Sequence, residues 1–162
     1  YVGASYEECR GMGTTLTLAW FLPGWMAFAH IGDSRAYYLP ADGSPMKQLS
    51  HDDTHVGWLL RNGKISEREA RQHPWRTALQ RALGAGNQFV EPQIGTVGLQ
   101  PGDRFLLCTD GVVDGLFDAD IERLLRNPDH AESALDPAHR IVASAVERSG
   151  RDNTTALVIE IR

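Results

Sequence analysis

The 162 residues are 42% apolar and 23% charged, a globular balance that excludes a disordered or fibrous chain. A single core of this length buries roughly 70% of the unfolded surface, so folding requires neither a disulfide framework nor a structural metal. With 16 basic against 21 acidic residues the net charge is −5, the wrong sign for tracking a phosphate backbone, and no nucleic acid is expected as a partner.

Residues 1–10 read as the end of a helix stopped by Gly11 and Gly13. Thr14–Phe21 is apolar and β-branched, Pro23-Gly24 turns the chain, and Trp25–Ile31 returns as the second strand of a hairpin. Gly32-Asp33-Ser34 reverses it into Arg35–Leu39, and Asp42-Gly43-Ser44-Pro45 into Met46–Leu49, so the stretch reads as an antiparallel meander. Val56, Leu59 and Leu60, at i, i+3, i+4, predict a helix from His55 ended by Gly63. Ser66-Glu67-Arg68-Glu69 has capping-box spacing, and Pro74 is expected to open a third helix with Ala78, Leu79, Ala82 and Leu83 on one face. Residues 55–83 thus form a helical insertion. Strands resume at Gln93–Leu99 and Asp103–Thr109 around Gln100-Pro101-Gly102, the second buried by its run Phe105–Cys108. Helices are predicted over Asp118–Arg126 and from the cap Asp136, with Pro137 in its first turn and Gly150 just past its end. The last strand, Thr154–Ile161, reads as covered on both faces. This order predicts one α+β domain over residues 1–162, an antiparallel β-sandwich flanked by helices.

No apolar run approaches the ~20 residues of a membrane helix, and no basic stretch leading into an apolar one opens the sequence, so a cytoplasmic protein is expected. Cys9 and Cys108 fall outside any Cys/His metal spacing and read as plain buried thiols.

Three aspartates stand at strand ends beside turns: Asp52, Asp110 and Asp152. Aspartates also punctuate turns for their own local hydrogen bonds, so none of them alone marks a site. Brought together, they could not all stay ionised unless a cation neutralised them or their pKa values rose. An all-carboxylate set completed by water suits Mg²⁺ or Mn²⁺, and the absence of Cys/His spacing argues against zinc. Such ions lower the pKa of bound water and orient a phosphoryl group for in-line displacement. Other signatures fail. Gly57–Lys64 misses the P-loop spacing and has Ile65 where Ser or Thr is required, and Gly11-Met12-Gly13 and Gly84-Ala85-Gly86 lack the third glycine of a dinucleotide fingerprint. Ser34 has no glycine two residues on and reads as a turn residue, and His30 reads as a satisfied core histidine.

Taken in order, Gly11-Met12-Gly13-Thr14-Thr15, His30-Ile31-Gly32-Asp33-Ser34-Arg35-Ala36-Tyr37, Leu49-Ser50-His51-Asp52-Asp53-Thr54, the run from Gly102 to Gly111 ending Cys108-Thr109-Asp110-Gly111, and Gly150-Arg151-Asp152-Asn153-Thr154-Thr155 resemble the metal-dependent protein serine/threonine phosphatases of the type-2C (PPM) family, in its bacterial branch. The resemblance implies two catalytic ions, Mn²⁺ or Mg²⁺, with Asp110 bridging to the pair and Asp152 binding one of them. It implies a third ion in bacterial members held by Asp52 with Asp110 and Asp114, and it makes residues 55–83 the family's flap. It places the family's Asp-Gly-x-Gly-Gly motif, the histidine general acid and the phosphate-gripping arginine before Tyr1, so no catalytic acid is assigned and the chain reads as the C-terminal two-thirds of the domain. The expected function is hydrolysis of phosphoserine and phosphothreonine on proteins that are targets of a Ser/Thr kinase, by a monomer. The alternatives are an inactive or regulatory phosphopeptide-binding module that uses the same sheets, or a chain whose unpaired edge strands join a second copy.

Overall fold

Pairing partners distant in sequence decide this fold. The computed structural model describes residues 5–86, 89–126 and 136–162. The chain divides into two units, the first comprising Tyr1–Phe21, Met26–Ser34 and His51–Thr96, the second Leu22–Trp25, Arg35–Ser50 and Val97–Arg162.

Of the helix tail expected over residues 1–10, the described part holds a helical Ser5 and a 3₁₀ turn at Glu7–Cys9, and residues 1–4 lie outside the described ones. Strand β1 (Gly13–Thr14) pairs antiparallel with β6 (Leu83–Gly84). A three-stranded sheet has the order β2-β3-β7, formed by Leu16–Leu22, Trp25–Ile31 and Gln93–Gly98. Alternate residues of β3, Met26, Phe28 and His30, are buried, whereas Leu16, Leu18 and Trp20 of the edge strand β2 point outward and are exposed. Helix α1 (His55–Arg61) starts at Thr54, whose hydroxyl accepts from the Gly57 amide at 2.9 Å. Helix α2 (Glu67–Gln72) carries the capping box read from the sequence, with both the Ser66 and the Glu69 bond formed.

The third helix expected after Pro74 is absent. Residues 74–77 form turns, with the Arg76 amide on the His73 carbonyl and the Ala78 amide on that of Trp75. The chain then extends: Leu79 bridges Thr54, and the Gln80 amide donates to the Asp53 carbonyl at 2.7 Å. A short isolated helix is marginal in water, and long-range backbone partners outcompete it here. Ala82 alone of the four residues assigned to its apolar face is buried.

In the second unit, β4 (Arg35–Leu39), β5 (Lys47–Gln48), β8 (Arg104–Cys108) and β9 (Ala156–Glu160) form a sheet in the order β5-β4-β8-β9. All pairs are antiparallel, with Arg35 opposite Cys108 and Cys108 opposite Ala156. The meander read from the sequence is therefore corrected. β3 and β4 belong to different sheets, because Gly32 is held by Asp53, whose amide donates to the Gly32 carbonyl at 2.7 Å and whose carboxylate accepts from the Gly32 amide at 3.0 Å. The last strand is also less covered than expected: β9 is an edge, and Leu157 is 54% exposed.

Helices α3 (Asp110–Gly115), α4 (Asp118–Arg126) and α5 (Pro137–Arg148) supply the rest of this unit's core. Ile121 and Leu125 of α4, and Ile141 and Ala145 of α5, sit one turn apart and pack with Tyr37, Leu106, Val112 and Leu116. Gly115 is required by close approach, since a Cβ there would lie 2.4 Å from the Ala145 carbonyl oxygen. Asp136 caps α5 by accepting from the His139 amide, as its sequence position implies. Cys108 is buried in this core, whereas Cys9 is partly exposed, and both are free thiols. Among the described residues no helix is long and apolar enough to cross a membrane.

Candidate metal centre

Asp110 leaves the end of β8 as the first residue of α3, and its position is set by the residue before it. The Thr109 amide donates to the Thr155 carbonyl at 3.1 Å, the Thr155 amide donates to Thr109 Oγ1 at 3.0 Å, and Thr109 Oγ1 donates to the Asn153 carbonyl at 3.2 Å. These three bonds tie the strand end carrying Asp110 to the loop carrying Asp152. Gly111 lets the two backbones meet: a Cβ there would stand 2.6 Å from the Asn153 carbonyl oxygen and 2.8 Å from Thr154 Oγ1. Within the loop, the Asn153 amide donates to Asp152 Oδ1 at 2.6 Å and Thr154 Oγ1 to the Asp152 carbonyl at 3.1 Å, two local bonds that restrain the residue.

The electrostatics follow from that geometry. Asp110 is half-buried, and its carboxyl is held above the ordinary carboxylate range first by desolvation, then by the negative charges of Asp152 and Asp114. Hydrogen bonds from the Asp110 and Gly111 amides oppose the shift only in part. Of the four aspartates singled out in the sequence, Asp152 and Asp114 thus both act on Asp110 within the second unit. Among the described residues no group of three or more His, Cys, Asp or Glu side chains is already gathered closely enough to hold a metal. The donor set is nevertheless all oxygen and net negative, and a site with few protein ligands and several waters is what a hard ion such as Mg²⁺ accepts.

Asp52 lies in the first unit, where its backbone carbonyl accepts from Arg61 Nη1 at 3.0 Å and a Cβ on Gly57 would stand 2.7 Å from its oxygen. Its neighbour Asp53 has a structural task, bonding the Gly32 amide, the Gln93 side chain at 3.3 Å and Arg81 at 3.9 Å. Gln93 also brackets His51, donating to its carbonyl and accepting from its amide. His30 is a satisfied core histidine, with Thr17 Oγ1 2.8 Å from Nδ1 and the Gly32 carbonyl 3.0 Å from Nε2. Burial lowers its pKa against the opposing pull of Gly32, Asp53 and Asp52.

Thr109 and Gly111 received no role in the sequence reading, although both stand in the motif that contains Asp110. A hydroxyl directly before the strand-end aspartate and a glycine directly after it were the available signal.

The family model described as protein phosphatase 2C matches residues 3–153. The serine/threonine protein phosphatase PstP of Mycobacterium tuberculosis is 41% identical over 95% of this chain and 28% of its own length. The serine/threonine phosphatase stp of Listeria innocua is 36% identical over 96% of the chain and 60% of its own length. A crystal structure of the PstP catalytic domain, in complex with two manganese ions, superposes with a TM-score of 0.80 at 37% identity, covering 99% of this chain and 66% of that one. The chain therefore spans only part of the length of these relatives. The α+β architecture and this likeness together show that the chain belongs to the protein phosphatase 2C family.

Proposed function

We propose that this chain is the part of a protein serine/threonine phosphatase that carries Asp110 and Asp152, and that the protein hydrolyses phosphoserine and phosphothreonine on proteins phosphorylated by a Ser/Thr kinase. The observation that carries the reading is Asp110, half-buried and held at raised pKa beside two further carboxylates. Such a group is costly to keep charged in the absence of a cation.

Asp110 and Asp152 would hold Mn²⁺ or Mg²⁺, with water completing the sphere. Bound there, a hard divalent ion supplies Lewis acidity and a water of lowered pKa at neutral pH. What this chain contributes is positioning. Thr109 fixes the spacing of the two aspartate-bearing segments, Gly111 permits their approach, and the Asn153 amide holds one carboxylate oxygen of Asp152. The proposal extends to Asp114 and Asp52 as ligands of a further ion, in line with the resemblance.

The test is thermal denaturation of the chain with and without manganese. Mn²⁺ is expected to raise the Tm, Asp110→Asn to abolish that rise, and Asp152→Asn to weaken it. A rise unchanged in Asp110→Asn overturns the assignment. Manganese stoichiometry in Asp52→Asn and Asp114→Asn decides whether those two hold an ion. In a longer chain that also carries the Asp-Gly-x-Gly-Gly segment implied by the resemblance, Asp110→Asn is expected to lower phosphopeptide hydrolysis by at least about 10²-fold, the scale of removing a group that acts in the transition state.

A further inference from the structure

Charge is unevenly distributed along this sequence. Between His55 and Leu83 six arginines and lysines accompany two glutamates, a net +4 within a chain of net −5, which leaves −9 on all other residues. Two of the six cations are paired inside the first unit, Arg71 with Glu67 at 3.3 Å and Arg81 with Asp53 at 3.9 Å. Arg61, Lys64, Arg68 and Arg76 form no ion pair with a carboxylate among the described residues. A merely solvated surface usually intersperses both signs.

The same segment exposes two indoles, Trp58 at 47% and Trp75 at 62%. His55 links them, its ring 6.3 Å from that of Trp58 and 6.4 Å from that of Trp75. Trp58 and Arg61 stand one turn apart on α1 and line a groove of about 250 Å³ whose lining also holds Asp52 and Asp53, the latter paired with Arg81, so the uncompensated cations lie on the Trp58, Arg61, Trp75 and Arg76 side. Arg61 is anchored there by the Asp52 carbonyl, which fixes the guanidinium without neutralising it. Exposed Trp and Arg side by side are the residue types that carry binding energy at protein interfaces. Indoles supply area for a backbone and aliphatic stems, while the cations select an anionic partner.

We propose that this surface, centred on Trp58, Arg61, Trp75 and Arg76, docks an acidic polypeptide segment. The docking stands independently of the phosphatase reading. The selectivity lies in the acidic side chains, so carboxylate-rich and multiply phosphorylated segments share the required chemistry.

Fluorescence anisotropy of labelled peptides, on the 162-residue chain without divalent metal, tests it. An Asp/Glu-rich peptide is expected to bind about tenfold tighter than its Asn/Gln counterpart, a difference of about 1.4 kcal/mol, and to weaken as salt rises. Arg76→Glu and Arg61→Glu should remove most of that preference, and Trp75→Ala should weaken the acidic peptide about tenfold, as loss of an interface anchor does. Arg123→Glu on α4 serves as the control. Circular dichroism establishes that each variant folds, and should Arg61→Glu not fold, Arg76→Glu and Trp75→Ala decide. A peptide rich in phosphoserine in place of carboxylates shows which source the surface prefers, and binding of either above the amide peptide supports the proposal. Equal affinity for acidic and amide peptides overturns it, as does a loss in Arg76→Glu no larger than in Arg123→Glu. Tighter binding of single-stranded RNA than of the acidic peptide overturns it in favour of a nucleic-acid surface. Manganese stabilisation of the same preparations separates the two readings: docking lost with that stabilisation intact overturns this proposal alone, and the reverse overturns only the phosphatase reading.

Discussion

Asp110 is placed where its ionised form is uncomfortable. Its carboxyl titrates higher in the folded chain than in the unfolded one, so the charged group costs stability at neutral pH, and the cost disappears below the ordinary carboxylate range. Asp110→Asn should therefore raise the metal-free Tm at pH 7.5 while removing the response to manganese. A Tm that falls would contradict this account of its electrostatics. His30 works in the opposite sense. Its folded pKa lies below the unfolded value, so the stability that depends on its neutral form is complete above about pH 6.5 and declines as pH falls through the lowered folded value. Differential scanning between pH 7.5 and pH 5.5 should show a larger fall in Tm for the native chain than for His30→Gln. That Asp110 and Asp152 stand at strand ends beside turns, where a carboxylate is both held and open, was legible in the sequence. The link between Asp110 and Asp152 was not, because the three bonds of Thr109 span more than 40 residues and leave no local pattern.

Among the elements, local chemistry succeeded wherever it acted alone. Ser66 with Glu69, and Asp136 with Pro137, mark helix starts where the sequence places them, since a cap is satisfied within its own turn. It failed where tertiary partners intervened. Pro74 could open a helix, but the amides that follow it go to His73, Trp75 and Asp53. The reverse error concerns α3, whose sequence Asp110-Gly111-Val112-Val113-Asp114-Gly115 has two glycines and two β-branched residues and therefore little helical propensity. It exists because Val112 and Leu116 are fully buried against α4 and α5. Thr109→Val should leave the fold intact and weaken manganese stabilisation, whereas Gly111→Ala should weaken it further by pushing the Asn153 carbonyl away. Manganese responses equal to that of the native chain in both variants would remove these residues from the site. Ile141→Ala in α5 should cost roughly 2–5 kcal/mol in denaturant unfolding, the range for truncating a fully buried aliphatic residue.

For the molecule as a whole, the antiparallel sheets with accompanying helices were readable from the alternation and order of apolar runs, yet their partition was not. Nothing near Gly32 announces that β3 will find β7 and β4 will find β8, because pairing over such separations is written only in how apolar faces match. The outward side of β2 has a practical consequence. Leu16, Leu18 and Trp20 form an oily stripe along an edge strand, and such a stripe attracts dyes, surfaces and neighbouring molecules. The isolated chain should brighten 8-anilinonaphthalene-1-sulfonate while still giving a cooperative melt, and its light scattering should climb with concentration. Trp20→Thr, which keeps a strand-forming residue, should dim the dye and delay the scattering. Preparations kept dilute, or supplied with a mild detergent, should yield the most uniform samples.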